Sequence, residues 1–302
     1  MRSGAGAAVE SGRGAGTTVA AAAPAGATPP IETAAGAGED LGSKLDRLRS
    51  ILVDIGRVVV AFSGGADSAF LAHVATSTLG SDSVLAVTAV SPSLAPEERS
   101  DCVALAGEWG LRFREVEIDE LSDPSYVANG TDRCYHCKAT LMDALGPIAT
   151  KEGATVVLGV NVDDLGDHRP GQAAAAEAGG RFPLLEAELT KDDIRSLSRA
   201  LGLRTWDKPA AACLASRVPY GTPVSLGVLG SVARAESGLR RLGFRQLRVR
   251  HYGDLARIET GLDELEHVLA ERQAIVDAVH DAGYRYVTLD LEGLRSGNLN
   301  AV

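Results

Sequence analysis

The chain has 302 residues, with 30 Lys and Arg against 40 Asp and Glu, which gives a formal net charge of −10. Hydrophobic residues make up 45% of it and charged residues 23%, as is usual for a folded globular protein. No run approaches the roughly 18 apolar residues of a membrane span, and the acidic balance disfavours general binding to nucleic-acid phosphates. The chain has 4 cysteines, too few for a disulfide scaffold, so we expect a cytoplasmic protein.

Residues 1–40 differ in composition from the rest of the chain. Well over half of them are Gly, Ala or Pro, and the only branched aliphatic residues are Val9, Val19 and Ile31. Such a segment buries too little apolar surface to offset the entropy that is lost on ordering. We therefore predict a disordered tail before the folded part of the chain.

From residue 41 onward, apolar patterns of helical period alternate with short apolar runs that are typical of buried strands. The predicted helices are 41–55, 67–79, 97–109, 139–152 and 192–201. The predicted strands are 58–62, 83–90, 112–118 and 155–160. This alternation predicts an α/β domain with a doubly wound parallel sheet over residues 41–207.

Beyond residue 207 the pattern changes. The predicted elements there are a helix at 227–242, strands at 246–251 and 255–260, a long helix at 263–281 and a strand at 286–291. This order predicts a smaller α+β domain over residues 208–302.

The hexapeptide Ser-Gly-Gly-Ala-Asp-Ser at residues 63–68 follows a predicted buried strand and precedes a helix. Gly64 and Gly65 allow the backbone to approach a phosphate, and the helix N-terminus adds the positive end of its dipole. Ser63 and Ser68 add hydroxyl donors, and Asp67 is placed to hold Mg²⁺. By pattern alone, a Gly-rich turn with a serine cap explains the segment equally well.

This hexapeptide resembles the PP-loop of ATP pyrophosphatases, which cleave ATP between its α- and β-phosphates and adenylate a substrate oxygen. A second block, Gly-Val-Asn-Val-Asp-Asp at residues 159–164, resembles another segment of those enzymes and follows a second buried strand. Alone it is typical of a polar loop that caps a helix. Because both blocks follow strands, we predict that Gly159, Asn161 and Asp164 complete an ATP site.

Further segments resemble the LarE family of ATP-dependent sulfur transferases, and the resemblance covers about residues 43–300. The most specific segment is Ala-Cys-Leu-Ala-Ser-Arg-Val-Pro-Tyr-Gly at 212–221. The others are Arg-Cys-Tyr-His-Cys-Lys at 133–138 and the segments 164–171, 256–259 and 291–297. The resemblance implies a PP-loop domain of the adenine nucleotide α-hydrolase type.

The resemblance also implies an activity. Such an enzyme uses ATP and Mg²⁺ to adenylate a carboxylate of pyridinium-3,5-biscarboxylic acid mononucleotide and replaces the AMP with sulfur, on the path to a nickel-pincer nucleotide. In the sacrificial version, the thiolate of Cys213 attacks the acyl-adenylate and the cysteine becomes dehydroalanine. Arg217 and Lys208 are close in sequence and suit the stabilisation of a thiolate. The alternative for Cys213 is a small buried hydrophobic residue.

Cys134 and Cys137 form a Cys-x-x-Cys motif that the sacrificial mechanism does not require. With Cys213 they make three thiolates, as in related sulfur insertases that hold a [4Fe–4S] cluster by three cysteines and leave one iron open for hydrosulfide. Half a zinc site, a redox disulfide and two unrelated cysteines are the alternatives. Cys102, beside apolar residues on a helix, is predicted to belong to the core.

In the C-terminal part, the resemblance implies that Arg248 or Arg250 holds a substrate phosphate and that Glu236 and Glu259 take a divalent metal. The alternative is a solvated charged face. The resemblance further implies a homo-oligomer, a small mononucleotide substrate and pathway partners of the LarB and LarC types.

Three other functions compete with sulfur transfer to a small molecule. A tRNA thiolase of the same superfamily would carry a basic face or a zinc module for RNA. A synthetase of the amidotransferase type would need an ammonia source, and no glutaminase signature is present. A nucleotide sensor without catalysis would leave the three cysteines and the acidic metal candidates unexplained.

Overall fold

The computed structural model describes residues 38–166 and 170–295, which belong to one compact unit. The predicted tail therefore lies almost entirely outside the described residues, as do parts of the 164–171 and 291–297 segments. The helices are α1 Gly38–Ile55, α2 Ala66–Leu79, α3 Pro96–Glu108, α4 Pro124–Ala128, α5 Arg133–Glu152, α6 Pro170–Glu177, α7 Pro183–Glu186, α8 Lys191–Ala200, α9 Leu226–Arg241, α10 Leu265–Ala270 and α11 Arg272–Asp281. The strands are β1 Val58–Ala61, β2 Val84–Val90, β3 Phe113–Glu117, β4 Thr155–Val157, β5 Leu247–Tyr252, β6 Leu255–Thr260 and β7 Tyr286–Leu289.

The first four strands form a parallel sheet in the order β3-β2-β1-β4. β1 pairs with β2 on one side and with β4 on the other, so the order reverses direction between β1 and β4. In doubly wound folds this reversal opens a crevice at the carboxyl ends of the strands. The PP-loop follows β1 and the second predicted block follows β4, which brings both blocks to that crevice.

Helices cover both faces of this sheet. Val58 and Val60 of β1 pack in a core with α1, α2 and α8, whereas Val59 between them packs against α5 on the other face. The alternation follows from the two-residue repeat of a strand, and it explains why the strand reads as a continuous apolar run. The predicted α/β fold with a doubly wound parallel sheet is confirmed.

The last three strands form a small mixed sheet in the order β5-β6-β7. β5 and β6 pair antiparallel, and β7 adds in parallel to β6. Leu247, Val249 and Ile258 face a core built with α9 and α11. Arg248 and Arg250 alternate with those residues and therefore belong to the opposite face.

Three predicted elements differ from the structure. The helix predicted at 263–281 is wrong as one helix, because it is interrupted at Glu271 and each half buries its own side chain, Val268 or Ile275, in the same core. The strand predicted at 155–160 ends at Val157, since the chain then leaves β1 and the Leu158 amide bonds the carbonyl of Arg181. α5 begins earlier than predicted and includes the Cys-x-x-Cys motif. No helix in the described residues is long and apolar enough to cross a membrane.

Candidate active site

The PP-loop passes from β1 into α2 with an open helix N-terminus. Gly65 is the N-cap of α2 and has no side-chain cap, so the first amides of the helix are not taken by a capping side chain. Ser68 Oγ lies 3.0 Å from Ser63 Oγ and accepts a hydrogen bond from the Ser63 amide at 3.2 Å, which closes the loop. An uncapped helix N-terminus with convergent amides and hydroxyls is suited to bind phosphate.

Gly64 is the residue of this loop that only glycine fits. Its φ is +67°, and a Cβ there would stand 2.9 Å from Sγ of Cys102. Cys102 is fully buried under the loop and lies in the core, as predicted. The loop is thus supported from below by α3.

The second block lies beside the PP-loop. A Cβ at Gly159 would stand 2.9 Å from the amide nitrogen of Ser68, so glycine is required for the two loops to meet. The Asp164 carboxylate accepts a hydrogen bond from the Asn161 amide at 3.2 Å and holds the block in a tight turn. Asn161 is fully buried behind the site.

Asp67 stands where the two loops meet. Burial raises its pKa above the usual value, and the negative charge of Asp164 raises it further. Lys191 and the side chain of Asn161 oppose this shift. Two neighbouring carboxylates at a phosphate-binding loop fit Mg²⁺, which takes one or two carboxylates together with phosphate oxygens and water.

These loops line a cavity of about 560 Å³. Basic residues from other parts of the chain complete its wall: Lys138 of α5, Lys191 and Arg195 of α8, and Lys208. The Lys191 ammonium lies 3.1 Å from Asp164 Oδ1. A further cleft of about 590 Å³ between α9 and α11 contains none of the predicted site residues.

The segment that leads to Cys213 forms part of the same wall. Pro209, Ala210 and Ala211 line the cavity, and the exposed Cys213 follows two residues later. Cys213 is therefore not the buried hydrophobic residue of the alternative interpretation. It caps a short 3-10 helix, Leu214–Arg217, whose first amide bonds the carbonyl of Ser93 at 2.9 Å.

Arg217 bonds the backbone around Cys213, whereas Lys208 bonds other parts of the chain. The Arg217 guanidinium donates to the carbonyls of Ala212 at 2.7 Å and Cys213 at 3.2 Å. The Lys208 ammonium instead contacts Glu98, Asp101 and the PP-loop. The closeness of Lys208 to Cys213 in sequence therefore does not indicate which groups its ammonium contacts.

The Cys-x-x-Cys motif lies in the first turns of α5. Cys134 is exposed, and the thiol of the half-buried Cys137 donates to Glu120 Oε1 at 3.0 Å. Burial raises the pKa of Cys137, as do the charges of Glu120 and of nearby Cys213. In the described residues, no three His, Cys, Asp or Glu side chains converge on the position of one metal ion.

The start of α5 is tied to the Cys213 helix by two buried polar residues. Asn129 Nδ2 donates to the carbonyls of Pro219 and Thr222, each at 2.8 Å. Arg133 donates to the carbonyl of Ala215 at 2.9 Å and to the Asn129 side chain. The sequence analysis did not predict these hydrogen bonds, although Arg133 directly precedes Cys134.

The two predicted acidic metal ligands are paired with arginines. Glu236 accepts from Arg217 Nε at 2.8 Å and from the Val249 amide at 3.1 Å, and its side chain is 0% exposed. Glu259 is equally buried and accepts from Arg250 at 2.8 Å and Arg257 at 3.1 Å. Metal binding by these carboxylates stays a prediction, and it requires the arginines to move away.

Arg248 stands beside this network on the outer face of the small sheet. Burial lowers its pKa, and the positive charges of Arg250 and Arg217 lower it further. Arg250 also donates at 2.9 Å to the carbonyl of Ser216, which belongs to the short helix that follows Cys213. Arg217 and Arg250 are buried and paired with Glu236 and Glu259, and the half-buried Arg248 beside them is suited to bind an anion.

Comparisons with known proteins agree with this geometry. The family described as NAD synthase, a PP-loop family, matches residues 47–133, which contain the PP-loop. An uncharacterized protein of Synechocystis sp. is 46% identical over 87% of this chain and 98% of its own length. An uncharacterized protein of Methanocaldococcus jannaschii is 27% identical over 80% of this chain and 91% of its own length.

A third relative carries a functional name. The pyridinium-3,5-bisthiocarboxylic acid mononucleotide synthase of Lactiplantibacillus plantarum is 40% identical over 86% of this chain and 95% of its own length. The chain therefore belongs to the LarE family, within the PP-loop superfamily.

Proposed function

We propose that the chain is an ATP-dependent sulfur transferase that converts a carboxylate of pyridinium-3,5-biscarboxylic acid mononucleotide into a thiocarboxylate. One observation carries this proposal: residues 208–211, which lead to Cys213, form part of the wall of the PP-loop cavity. An acyl group that is activated at the PP-loop would thus form within reach of the chain that bears the thiol. The name of the Lactiplantibacillus plantarum relative supports the same chemistry.

In the first half-reaction the substrate carboxylate attacks the α-phosphorus of ATP, and pyrophosphate leaves with the bonding electron pair. The α2 N-terminus, Ser63 and Ser68 would hold the phosphates. Mg²⁺ at Asp67 and Asp164 would neutralise the charge that develops on the leaving group. The product is an acyl-adenylate with an activated carbonyl carbon.

In the second half-reaction sulfur replaces AMP at that carbonyl through Cys213. If the thiolate of Cys213 attacks, a thioester forms and AMP leaves with its electron pair. Removal of the Cα proton then breaks the Cβ–S bond, which leaves dehydroalanine in the chain and the thiocarboxylate on the substrate. Arg217, which is bonded to the carbonyls of Ala212 and Cys213, would hold the thiol segment in place.

We also propose that Cys134, Cys137 and Cys213 hold a [4Fe–4S] cluster that spares the cysteine. These three residues would supply the thiolates, and Cys137 would have to give up the proton that it donates to Glu120. Cys137 lies near Cys213, whose charge helps to raise the pKa of Cys137, and Cys134 precedes Cys137 by three residues in α5. When bound, such a cluster supplies an open iron for hydrosulfide.

Arg248 and Arg250 are proposed to bind the phosphate of the mononucleotide, which would direct its pyridinium ring towards Cys213. Glu236 and Glu259 are proposed as divalent-metal ligands in the complex with substrate, in which the phosphate would draw Arg217 and Arg250 away from the two carboxylates. Assembly into a homo-oligomer, a cytoplasmic location and cooperation with proteins of the LarB and LarC types are further proposals from family membership.

The test supplies purified protein with Mg-ATP, sulfide and the biscarboxylic mononucleotide under anaerobic conditions. We expect AMP, pyrophosphate and thiocarboxylate, and none of these without the mononucleotide. Bulk tRNA and ammonium salts are the comparison substrates for a tRNA thiolase and an amidotransferase-type synthetase. ATP cleavage that depends on tRNA or ammonia, with no response to the mononucleotide, would overturn the proposal.

A further inference from the structure

We infer that Lys208 is a positioning residue that holds the Cys213 segment, defined as residues 208–213, against the nucleotide cavity. The inference deepens the proposed function, and the expected change in the ratio of AMP to thiocarboxylate rests on that function. It assigns to this lysine a role in coupling adenylation to sulfur transfer.

The Lys208 ammonium contacts three oxygens from two other parts of the chain. Nζ lies 2.6 Å from Asp101 Oδ2 and 2.8 Å from Glu98 Oε2, both on α3. It also donates to the carbonyl oxygen of Gly64 in the PP-loop at 3.1 Å. Burial disfavours the charge, yet hydrogen bonds to the two carboxylates outweigh this effect and raise the pKa of Lys208. The group stays charged and bonded.

The segment that follows has little else to hold its first residues. Residues 209–213 are exposed and form neither helix nor strand. Arg217 fixes the far end through the carbonyls of Ala212 and Cys213. At the near end, the Lys208 side chain anchors the segment to α3 and the PP-loop, and Arg195 donates to the Lys208 carbonyl at 3.3 Å.

Lys208 is therefore the first residue of the segment that bears the thiol, and its ammonium group contacts the phosphate-binding loop. Gly64 is itself held in a left-handed conformation over Cys102, so its carbonyl is a rigid anchor. Without the Lys208 ammonium, the thiol would no longer be held near the acyl-adenylate. Water would then hydrolyse that intermediate to carboxylate and AMP. The ratio of AMP to thiocarboxylate reports this loss at any rate of ATP cleavage.

The kinetic test compares Lys208→Met with Arg204→Met. Methionine keeps the length of the side chain and removes the ammonium. Arg204 is the matched control, because it contacts the same Asp101 at 2.7 Å but does not line the cavity. We expect Lys208→Met to raise the ratio of AMP to thiocarboxylate by about 10- to 100-fold, because a small misplacement of a reacting group is that costly. Lys208→Arg should recover most of the coupling, and Arg204→Met should keep the ratio of the unaltered protein.

A second readout is independent of sulfur transfer. Hydrogen exchange of residues 210–216 is measured with and without Mg-ATP. If Lys208→Met folds poorly, Glu98→Gln is the milder variant, because it weakens one contact of the ammonium and keeps the lysine. We expect faster exchange of the Leu214 and Ser216 amides, which donate to the carbonyls of Ser93 and Cys213, in both variants and a loss of the Mg-ATP effect in Lys208→Met. Equal falls of AMP and thiocarboxylate with unchanged exchange would overturn the inference. If the unaltered protein makes no thiocarboxylate, the proposed function fails, and hydrogen exchange still decides the role of Lys208.

Discussion

Gly159 and Ser68 are far apart in sequence, yet a Cβ on Gly159 would stand only 2.9 Å from the Ser68 amide nitrogen. The backbones of the β4 and β1 loops therefore meet at a point where no side chain fits. This contact places Asp164 beside Asp67 and closes the nucleotide cavity.

Gly159→Ala is expected to displace the PP-loop by forcing these backbones apart. Overpacking of this kind costs about 1–3 kcal/mol of stability, and a shifted phosphate site costs about 100-fold in turnover. Pyrophosphate release and denaturant unfolding are the measurements. Gly146→Ala in α5, where a Cβ meets nothing within 4 Å, is the control that should keep full activity. Full activity of Gly159→Ala would contradict the contact.

Asp67→Asn separates activity from stability. Burial and Asp164 raise the pKa of Asp67, so the folded state binds this proton more tightly than the unfolded state does, and stability falls as the pH rises through the raised pKa. Asparagine removes that cost, so at neutral pH we expect an equal or higher Tm. Pyrophosphate release and the rise in Tm on adding Mg-ATP should both disappear. A Tm that still rises with Mg-ATP would argue against Mg²⁺ at this carboxylate.

Glu236→Ala is expected to lower stability strongly, because it leaves the buried Arg217 guanidinium without its carboxylate. Loss of one partner from a buried pair costs about 3–5 kcal/mol. Glu186→Ala, which breaks the surface pair with Arg181, should cost at most about 1 kcal/mol. Urea unfolding of both variants measures the difference. Equal midpoints would show that the Arg217–Glu236 pair contributes no more than a surface contact.

Arg248→Ala should weaken binding of the mononucleotide and spare that of ATP. A hydrogen bond to a charged group contributes about 1.5–3 kcal/mol, which corresponds to a KM raised by about 10- to 100-fold. The dephosphorylated nucleoside serves as comparison substrate, and for it the variant should equal the unaltered protein. Arg245→Ala, an exposed arginine just before β5, is the control. An equal loss with both substrates would place the phosphate elsewhere.

The cysteines decide how sulfur is delivered. With the proposed cluster, the anaerobic protein should contain iron and sulfide, turn over repeatedly with added sulfide and keep its mass. Cys134→Ser and Cys137→Ser should lose iron and repeated turnover, and Cys213→Ala should lose sulfur transfer by either route. The sacrificial route instead predicts a loss of about 34 Da, the mass of H₂S, in one turnover. That loss in the unaltered protein and in Cys134→Ser alike would contradict the cluster.

The sequence by itself determined the parts of this protein that depend on neighbours along the chain. Val58–Ala61 reads as a buried strand because both of its faces are apolar, and the PP-loop follows it directly. The order of helices and strands was sufficient for a doubly wound parallel sheet, and that sheet brings the loops after β1 and β4 together. The segments around Cys213 and Cys134 carried the family resemblance, which the relatives confirm.

Only the tertiary structure decided which charges meet. Lys208 is close to Cys213 in sequence, yet its ammonium bonds the PP-loop and α3. The family resemblance implied that Glu236 is a metal ligand, but folding buries it against Arg217. The physical reason is common to both: an ion pair depends on the approach of side chains from distant elements, and packing of the whole chain sets that approach. Local sequence patterns contain the residues of the site but not the partners that each will find.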